Sequence, residues 1–239
     1  MMNEIGIKTD FESGAVLLLN KPLRWTSFDV VNYIRKVMKV KVGHAGTLDP
    51  LATGLLILCT GKFTKKIDEY QAQEKEYTGI IRLGSTTPSF DLETAIDASY
   101  AIEHLTPELV IAAAQSLTGT LQQIPPAHSA KRVDGERAYL KARRGEMVEV
   151  KPREVTVSEF EITLLEQHEG AVDAHFRIVC SKGTYIRSLA RDLGLALSSG
   201  GHLIKLERTR IGDFQLDQAH TIEDIRKLFP APGSQINSI

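Results

Sequence analysis

Residues 43–61 read Gly-His-Ala-Gly-Thr-Leu-Asp-Pro-Leu-Ala-Thr-Gly-Leu-Leu-Ile-Leu-Cys-Thr-Gly, which sets one carboxylate, Asp49, between glycine-punctuated turns and an apolar run. Pro50 disfavours the helical region for the residue before it, so Asp49 is expected to be extended, with its side chain projecting from a loop. Gly43, Gly46 and Gly54 have no Cβ, and a bulky ligand can approach the backbone closely at such positions. Asp49 is therefore the candidate nucleophile. Alone, an Asp-Pro pair is an ordinary turn former, so other residues must decide. The two cysteines, Cys59 and Cys180, lie in apolar strand-like runs with no nearby histidine and no second pair to build a zinc site. They are expected to be buried, reduced core residues and not catalytic thiols.

The elements that must hold Asp49 can be read from patterning. A short apolar strand, Ala15 to Asn20, ends at Lys21-Pro22; Val30, Val31, Ile34, Val37 and Met38 then recur at helical spacing, with Thr26 or Ser27 as the cap. Gly54 to Cys59 reads as a buried strand, Phe63 to Tyr70 as a short helix, and Lys75 to Leu83 as a strand followed by a polar loop, Gly84 to Asp97. Thr106-Pro107 starts a helix that Gly119 is expected to stop. Ile124-Pro125-Pro126 breaks structure, and Asp134 to Arg144 reads as a short basic helix. Val155 to Leu165 and Val172 to Val179 are expected to pair as strands, Tyr185 to Leu197 to form a helix, Leu203 to Ile211 a strand, and Thr221 to cap a last helix. No linker or repeat divides the chain. Strands, hairpins and helices interspersed in this way predict one mixed α/β domain spanning 1–239.

With 239 residues and 42% hydrophobic content, the chain can bury a proper core. No run approaches the ~20 apolar residues of a membrane span, and the N-terminus lacks a signal peptide pattern, so a soluble cytoplasmic protein is expected. The net charge of −1 argues against a uniformly basic surface, but its distribution is uneven. Ile34 to Lys66 holds seven basic residues against one acid, Lys131 to Arg153 eight against four, and Arg177 to Arg210 seven against two. Leu83 to Ala130 holds five acids and no Lys or Arg. If the basic segments converge, their face would attract a polyanion.

Gly43 to Gly54 resembles the catalytic motif of the TruB family of tRNA pseudouridine synthases. Three further segments resemble the same family in the same order: Asn20-Lys21-Pro22, Lys75-Glu76-Tyr77 leading into Arg82-Leu83-Gly84, and Cys180-Ser181-Lys182-Gly183-Thr184-Tyr185-Ile186-Arg187. The likeness runs from about Gly14 to about Asp213. It implies the pseudouridine synthase fold, an α/β (α+β) architecture with a mixed, largely antiparallel central sheet flanked by helices and a basic RNA-binding insertion at about 120–152. The implied reaction isomerises uridine 55 in the T-arm loop of tRNA, moving the glycosidic bond from N1 to C5, with no metal and no cofactor.

The resemblance also assigns roles. Asp49 attacks the sugar C1′ or assists its conversion to a glycal, two routes that the residues do not distinguish. Burial alone would protonate it, so a cation is needed; Arg187 matches the family arginine that pairs with the aspartate and can hold a carboxylate bidentately. Tyr77 matches the aromatic that stacks on the target base. Tyr185 and Leu206 match positions completing the pocket wall, where excluding water protects the detached base. His44 matches the histidine that enters the T loop as the nucleotide flips. Lys21, Lys65, Arg132, Arg143 and Arg144 are expected phosphate contacts, with bracing of the active-site loops as the alternative for Lys21.

Only 33 residues follow Leu206, so the chain resembles a short form without the C-terminal PUA domain, for which no guide RNA is expected. The expected partner is the T-arm stem-loop of tRNA, with no membrane and a monomeric protein. The rival reading is a non-catalytic RNA-binding or tRNA-folding protein on the same fold, against which the joint presence of Asp49, Tyr77 and Arg187 argues.

Overall fold

The structure, a computed structural model, describes residues 10–126, 132–133, 136–137, 144 and 151–230, the two dipeptides by their backbone alone. In chain order its strands are β1 (Val16–Lys21), β2 (Val42–Ala45), β3 (Ala52–Thr60), β4 (Lys75–Leu83), β5 (Ser85–Thr86), β6 (Ala98–Ser99), β7 (Gly119–Gln123), β8 (Arg132–Val133), β9 (Glu136–Arg137), β10 (Arg153–His168), β11 (Ala171–Cys180), β12 (Gly201–Ile211) and β13 (Phe214–Gln215). The α-helices are α1 (Ser27–Met38), α2 (Ile67–Ala72), α3 (Pro107–Ser116), α4 (Ile186–Ala196) and α5 (Ile222–Leu228). The chain forms two compact units, Met1–Lys75 with Glu207–Ile239, and Glu76–Leu206.

In the first unit the strand order is β1-β3-β12, with β2 also paired to β3 and β13 to β12. β1 and β3 run antiparallel, Val16 opposite Cys59 and Lys21 opposite Gly54. α1 starts where Thr26 and Asp29 close a reciprocal capping box, which satisfies two of the helix's orphan amides, and it buries Val30, Val31 and Ile34. Those residues join Leu17, Leu19, Leu56, Leu58, Ile222 and Ile225 in one apolar cluster. α5 is capped the same way, by Thr221 and Asp224. Gly54 has φ +104°, and a Cβ there would lie 2.4 Å from the Arg208 carbonyl oxygen, so only glycine lets β3 and β12 approach this closely.

In the second unit the order is β12-β4-β11-β10-β7. β10 and β11 form a long antiparallel hairpin, His168 opposite Ala171, and β7 adds to β10 with Gln123 opposite Arg153. β4 alternates buried and partly buried residues over its whole length, as a half-buried strand should. α3 packs Val110 and Ala114 inward, and α4 buries Ile186, Leu189, Ala190 and Leu193.

Four expectations need correction. β2 is a strand although its Val-Gly-His-Ala sequence carries little strand signal; pairing with β3 forms it. The polar loop after β4 contains β5, paired with β6. Gly119 does not stop α3, which ends at Ser116, but opens β7 at φ +88°. Glu136–Arg137 is a strand paired with Arg132–Val133, where a helix was expected; the rest of that stretch, apart from Arg144, lies outside the described residues.

Candidate active site

In the first unit, the loop carrying Asp49 is held by its main chain at three points. The Ser27 hydroxyl accepts from the Leu48 amide at 2.9 Å and donates to the Leu48 carbonyl at 3.2 Å. The Pro50 carbonyl accepts from the Arg24 amide at 2.7 Å and from Lys21 Nζ at 3.4 Å. The Gly46 carbonyl, on a residue whose φ of +93° suits glycine, accepts from Arg208 Nη2 at 3.1 Å. Asp49 itself is half-buried, and its carbonyl accepts from the Ala52 amide at 3.1 Å.

Lys21 is fully buried, and its ammonium also donates to the carbonyls of Pro22 at 3.0 Å and Trp25 at 2.6 Å. A side chain with no exposed surface and three carbonyl partners is placed to brace loops, the alternative expected for Lys21, and not to meet a phosphate. Burial lowers its pKa from 10.5 to about 8, the Asp49 charge opposing the fall and Arg208 adding to it. A folded pKa below the unfolded one gives a stability term fully present above pH 10.5 and lost as pH falls through about 8. Denaturation of wild type and Lys21→Met is thus expected to show the wild type gaining relative stability as pH rises across that window; a pH-independent difference would contradict it.

His44, on β2, is half-buried, and burial, then the Arg208 charge, pushes its pKa below 6.5, so the imidazole is neutral at pH 7. Lys65 is exposed on a 3₁₀ turn, Gly61–Lys66, beside Lys66, whose ammonium lies 4.5 Å from the Phe63 ring centroid. The Cys59 thiol is fully buried and pushed up to about 11 by that burial, which removes it as a nucleophile at neutral pH; Cys180 is buried as well.

The second unit holds Tyr77, Arg187, Tyr185 and Leu206. Tyr77 lies on β4 and Leu206 on β12, both buried. Arg187, in the first turn of α4, is 3% exposed and donates to the Ser89 carbonyl at 3.2 Å, with Asp91 Oδ2 at 3.5 Å. Asp91 is the residue that sequence reasoning missed; it counted only as one acid in a polar loop. That loop is built tightly. Thr87 and Ser89 hydroxyls donate to the Asp91 carbonyl at 2.7 and 3.1 Å, and Asp91 Oδ1 accepts from the Glu93 amide at 2.9 Å. Tyr185, the N-cap of α4, is held by the buried Gln123 side chain, which donates to its carbonyl at 3.1 Å and accepts from its amide at 2.7 Å. The Arg153 guanidinium stacks over its ring at 4.4 Å. Neither Gln123 nor Arg153 stood out in sequence, because the hold on Tyr185 exists only once the two segments meet.

Arg144 is exposed, Arg132 lies on β8, and Arg143 is outside the described residues. Among the described residues, no cluster of three or more His, Cys, Asp or Glu could hold a metal, and no helix is long and apolar enough to cross a membrane.

Comparison with known proteins places this arrangement. Residues 35–186 match the model of the TruB family pseudouridylate synthase N-terminal domain, and residues 187–231 that of the tRNA pseudouridylate synthase B C-terminal domain. The tRNA pseudouridine synthase B of Parabacteroides distasonis is 56% identical over 223 residues, covering 90% of this chain and 93% of the relative. That of Thermobifida fusca is 46% identical, covering 90% and 75%. A solved structure of a Cbf5-Nop10-Gar1 complex superposes with a TM-score of 0.69 at 29% identity over 90% of this chain. An H/ACA RNP bound to a substrate RNA containing 2′-deoxyuridine gives 0.65 at 28%. The chain spans 54% and 52% of those two solved chains, about half their length.

Proposed function

The chain belongs to the TruB family of pseudouridylate synthases, and from that premise we propose that it converts uridine 55 in the T-arm loop of tRNA to pseudouridine. The observation that carries the reading is the carboxylate in the family's catalytic motif, Asp49, presented on a loop pinned at Gly46, Leu48 and Pro50. A loop whose main chain is held needs little reorganisation when the substrate arrives, which is what nucleophilic or base catalysis at a sugar carbon needs.

In this reading the uridine leaves the stack, with the neutral His44 ring entering the loop in its place. Tyr77 stacks on the flipped base. Asp49 acts at the sugar: either its carboxylate displaces N1 from C1′ and is itself displaced when C5 attacks, or it takes the C2′ proton as the N1–C1′ bond breaks to a glycal and returns that proton to C2′ when C5 adds to C1′. The base turns, C5 bonds to C1′, the C5 proton is lost and N1 takes up a proton. Atoms and electrons balance within the nucleotide, so nothing outside it is consumed. Arg187 is assigned as the cation that keeps the carboxylate ionised. Tyr185 and Leu206 are assigned to the wall that keeps water out. The protein acts as a cytoplasmic monomer, without a guide RNA.

Lys65, Arg132, Arg143 and Arg144 are assigned to phosphates, so tRNA affinity is expected to fall as salt rises. Lys65→Ala should reduce the slope of log K against log salt by about one, as loss of one phosphate contact does. An unchanged slope removes Lys65 from the interface. The function itself is tested by incubating unmodified tRNA transcript with the protein and mapping pseudouridine; modification at position 55 supports the reading, and an unmodified transcript rejects it.

A further inference from the structure

Arg208 has no place in the reaction as set out above, yet it is 1% exposed on β12. Its Nε donates to the Leu55 carbonyl on β3 at 2.8 Å and its Nη2 to the Gly46 carbonyl at 3.1 Å. These two acceptors bracket the loop: Gly46 lies three residues before Asp49, and Leu55 six residues after it, inside β3. One planar fork thus ties the start of the loop to the strand in which the loop ends. A lysine carries the same charge but presents one compact ammonium, which cannot reproduce two donors in fixed directions.

The close approach is built into the chain. Gly54 admits the Arg208 backbone, since a Cβ there would lie 2.6 Å from the Arg208 amide nitrogen. Gly46, at φ +93°, turns so that its carbonyl meets the guanidinium. On the far side of Asp49, Lys21 holds the Pro50 carbonyl, and both cations are within electrostatic range of each other. Burying two cations is costly even with the Asp49 charge acting on Lys21, and a fold that needed only packing would place apolar side chains here.

We infer that Arg208 is a positioning residue for catalysis: by hooking Gly46 to β3 it fixes the orientation in which the loop presents Asp49, while Lys21 fixes the other end. The inference rests on the TruB reading for its effect on turnover, but its geometric part does not depend on that reading. Misplacement of a reacting group by about 1 Å can cost on the order of a hundredfold in rate. Arg208→Lys and Arg208→Gln are therefore expected to lower kcat by about tenfold to a hundredfold while KM for tRNA stays near the wild-type value, the pattern of an interaction used only in the transition state. Amide exchange at Gly46 to Ala52, measured without RNA, should quicken by about tenfold or more in both variants as the loop opens locally.

A folded variant that keeps wild-type kcat, or one that loses tRNA affinity in proportion to turnover, overturns the inference. So does unchanged exchange at Gly46 to Ala52, and so does failure of both variants to fold, which would make Arg208 a strut of the sheet. If wild type makes no pseudouridine, the proposed activity fails, and the exchange measurement alone decides whether Arg208 holds the loop.

Discussion

Asp49→Asn is expected to abolish pseudouridine formation, with a fall in kcat of at least about 10⁴-fold, the scale seen when a member of a catalytic constellation is removed. An amide cannot attack C1′ or take a proton from the sugar as a carboxylate can. The loop should survive the change, because the contacts at Gly46, Leu48 and Pro50 join its main-chain atoms to the side chains of Arg208, Ser27 and Lys21 and to the backbone amide of Arg24. Binding of tRNA is therefore expected to persist, and a filter-binding titration checks it. Activity retained in Asp49→Asn would remove Asp49 from the chemistry and leave the family assignment in place. Loss of binding together with turnover would mean that the carboxylate organises the RNA surface instead.

Arg187→Met should show the next largest effect, on two axes at once. Arg187 and Asp91 have side chains only 3% and 6% exposed, 3.5 Å apart. Removing the guanidinium leaves a buried carboxylate without that partner, and breaking a buried pair costs roughly 3–5 kcal/mol. Urea denaturation should show that loss. The double variant Arg187→Met, Asp91→Leu should recover part of the stability, because the Asp91 carboxylate is then no longer buried without its cation. Turnover should not recover, since the arginine is assigned to the reaction itself; removing one fixed electrostatic partner costs about 10²–10³-fold in kcat. A double variant as active as wild type would reduce Arg187 to a structural ion pair with Asp91.

The elements that position these residues were legible where local chemistry decides them. Thr26, one of two cap candidates, and Thr221 are the caps that form, and each closes a capping box with the aspartate three residues on, Asp29 and Asp224. Val155 to Leu165 and Val172 to Val179 carry their pairing in alternation, and the observed hairpin is longer because its ends are held by register and not by pattern. β2 was illegible, since nothing in Val-Gly-His-Ala favours a strand until β3 lies beside it. Gly119 misled because a glycine after a helix serves equally as a stop or as the first residue of a strand at positive φ.

The candidate site divides the same way. Asp49, Tyr77 and Arg187 could be named from ordered motifs because their neighbours in sequence carry the signal. Lys21, in the Asn-Lys-Pro motif, read as a phosphate contact, since charge is visible in sequence and burial is not. Asp91 and Arg208 were invisible for a related reason. Their meaning lies in Arg187, 96 residues later, and in Gly46, 162 residues earlier, separations across which no spacing rule operates. A buried charge is recognised by what surrounds it, and that is set only when the sheet has formed.

The central claim is that the glycosidic bond of a tRNA uridine moves from N1 to C5. Because C5 must lose its hydrogen, the direct measurement is release of tritium to water from tRNA transcript carrying [5-³H]uridine. One equivalent released per tRNA, abolished when the T-loop target uridine is replaced by cytidine, is the predicted result. No release above a protein-free control, under conditions where the protein binds the transcript, would contradict it.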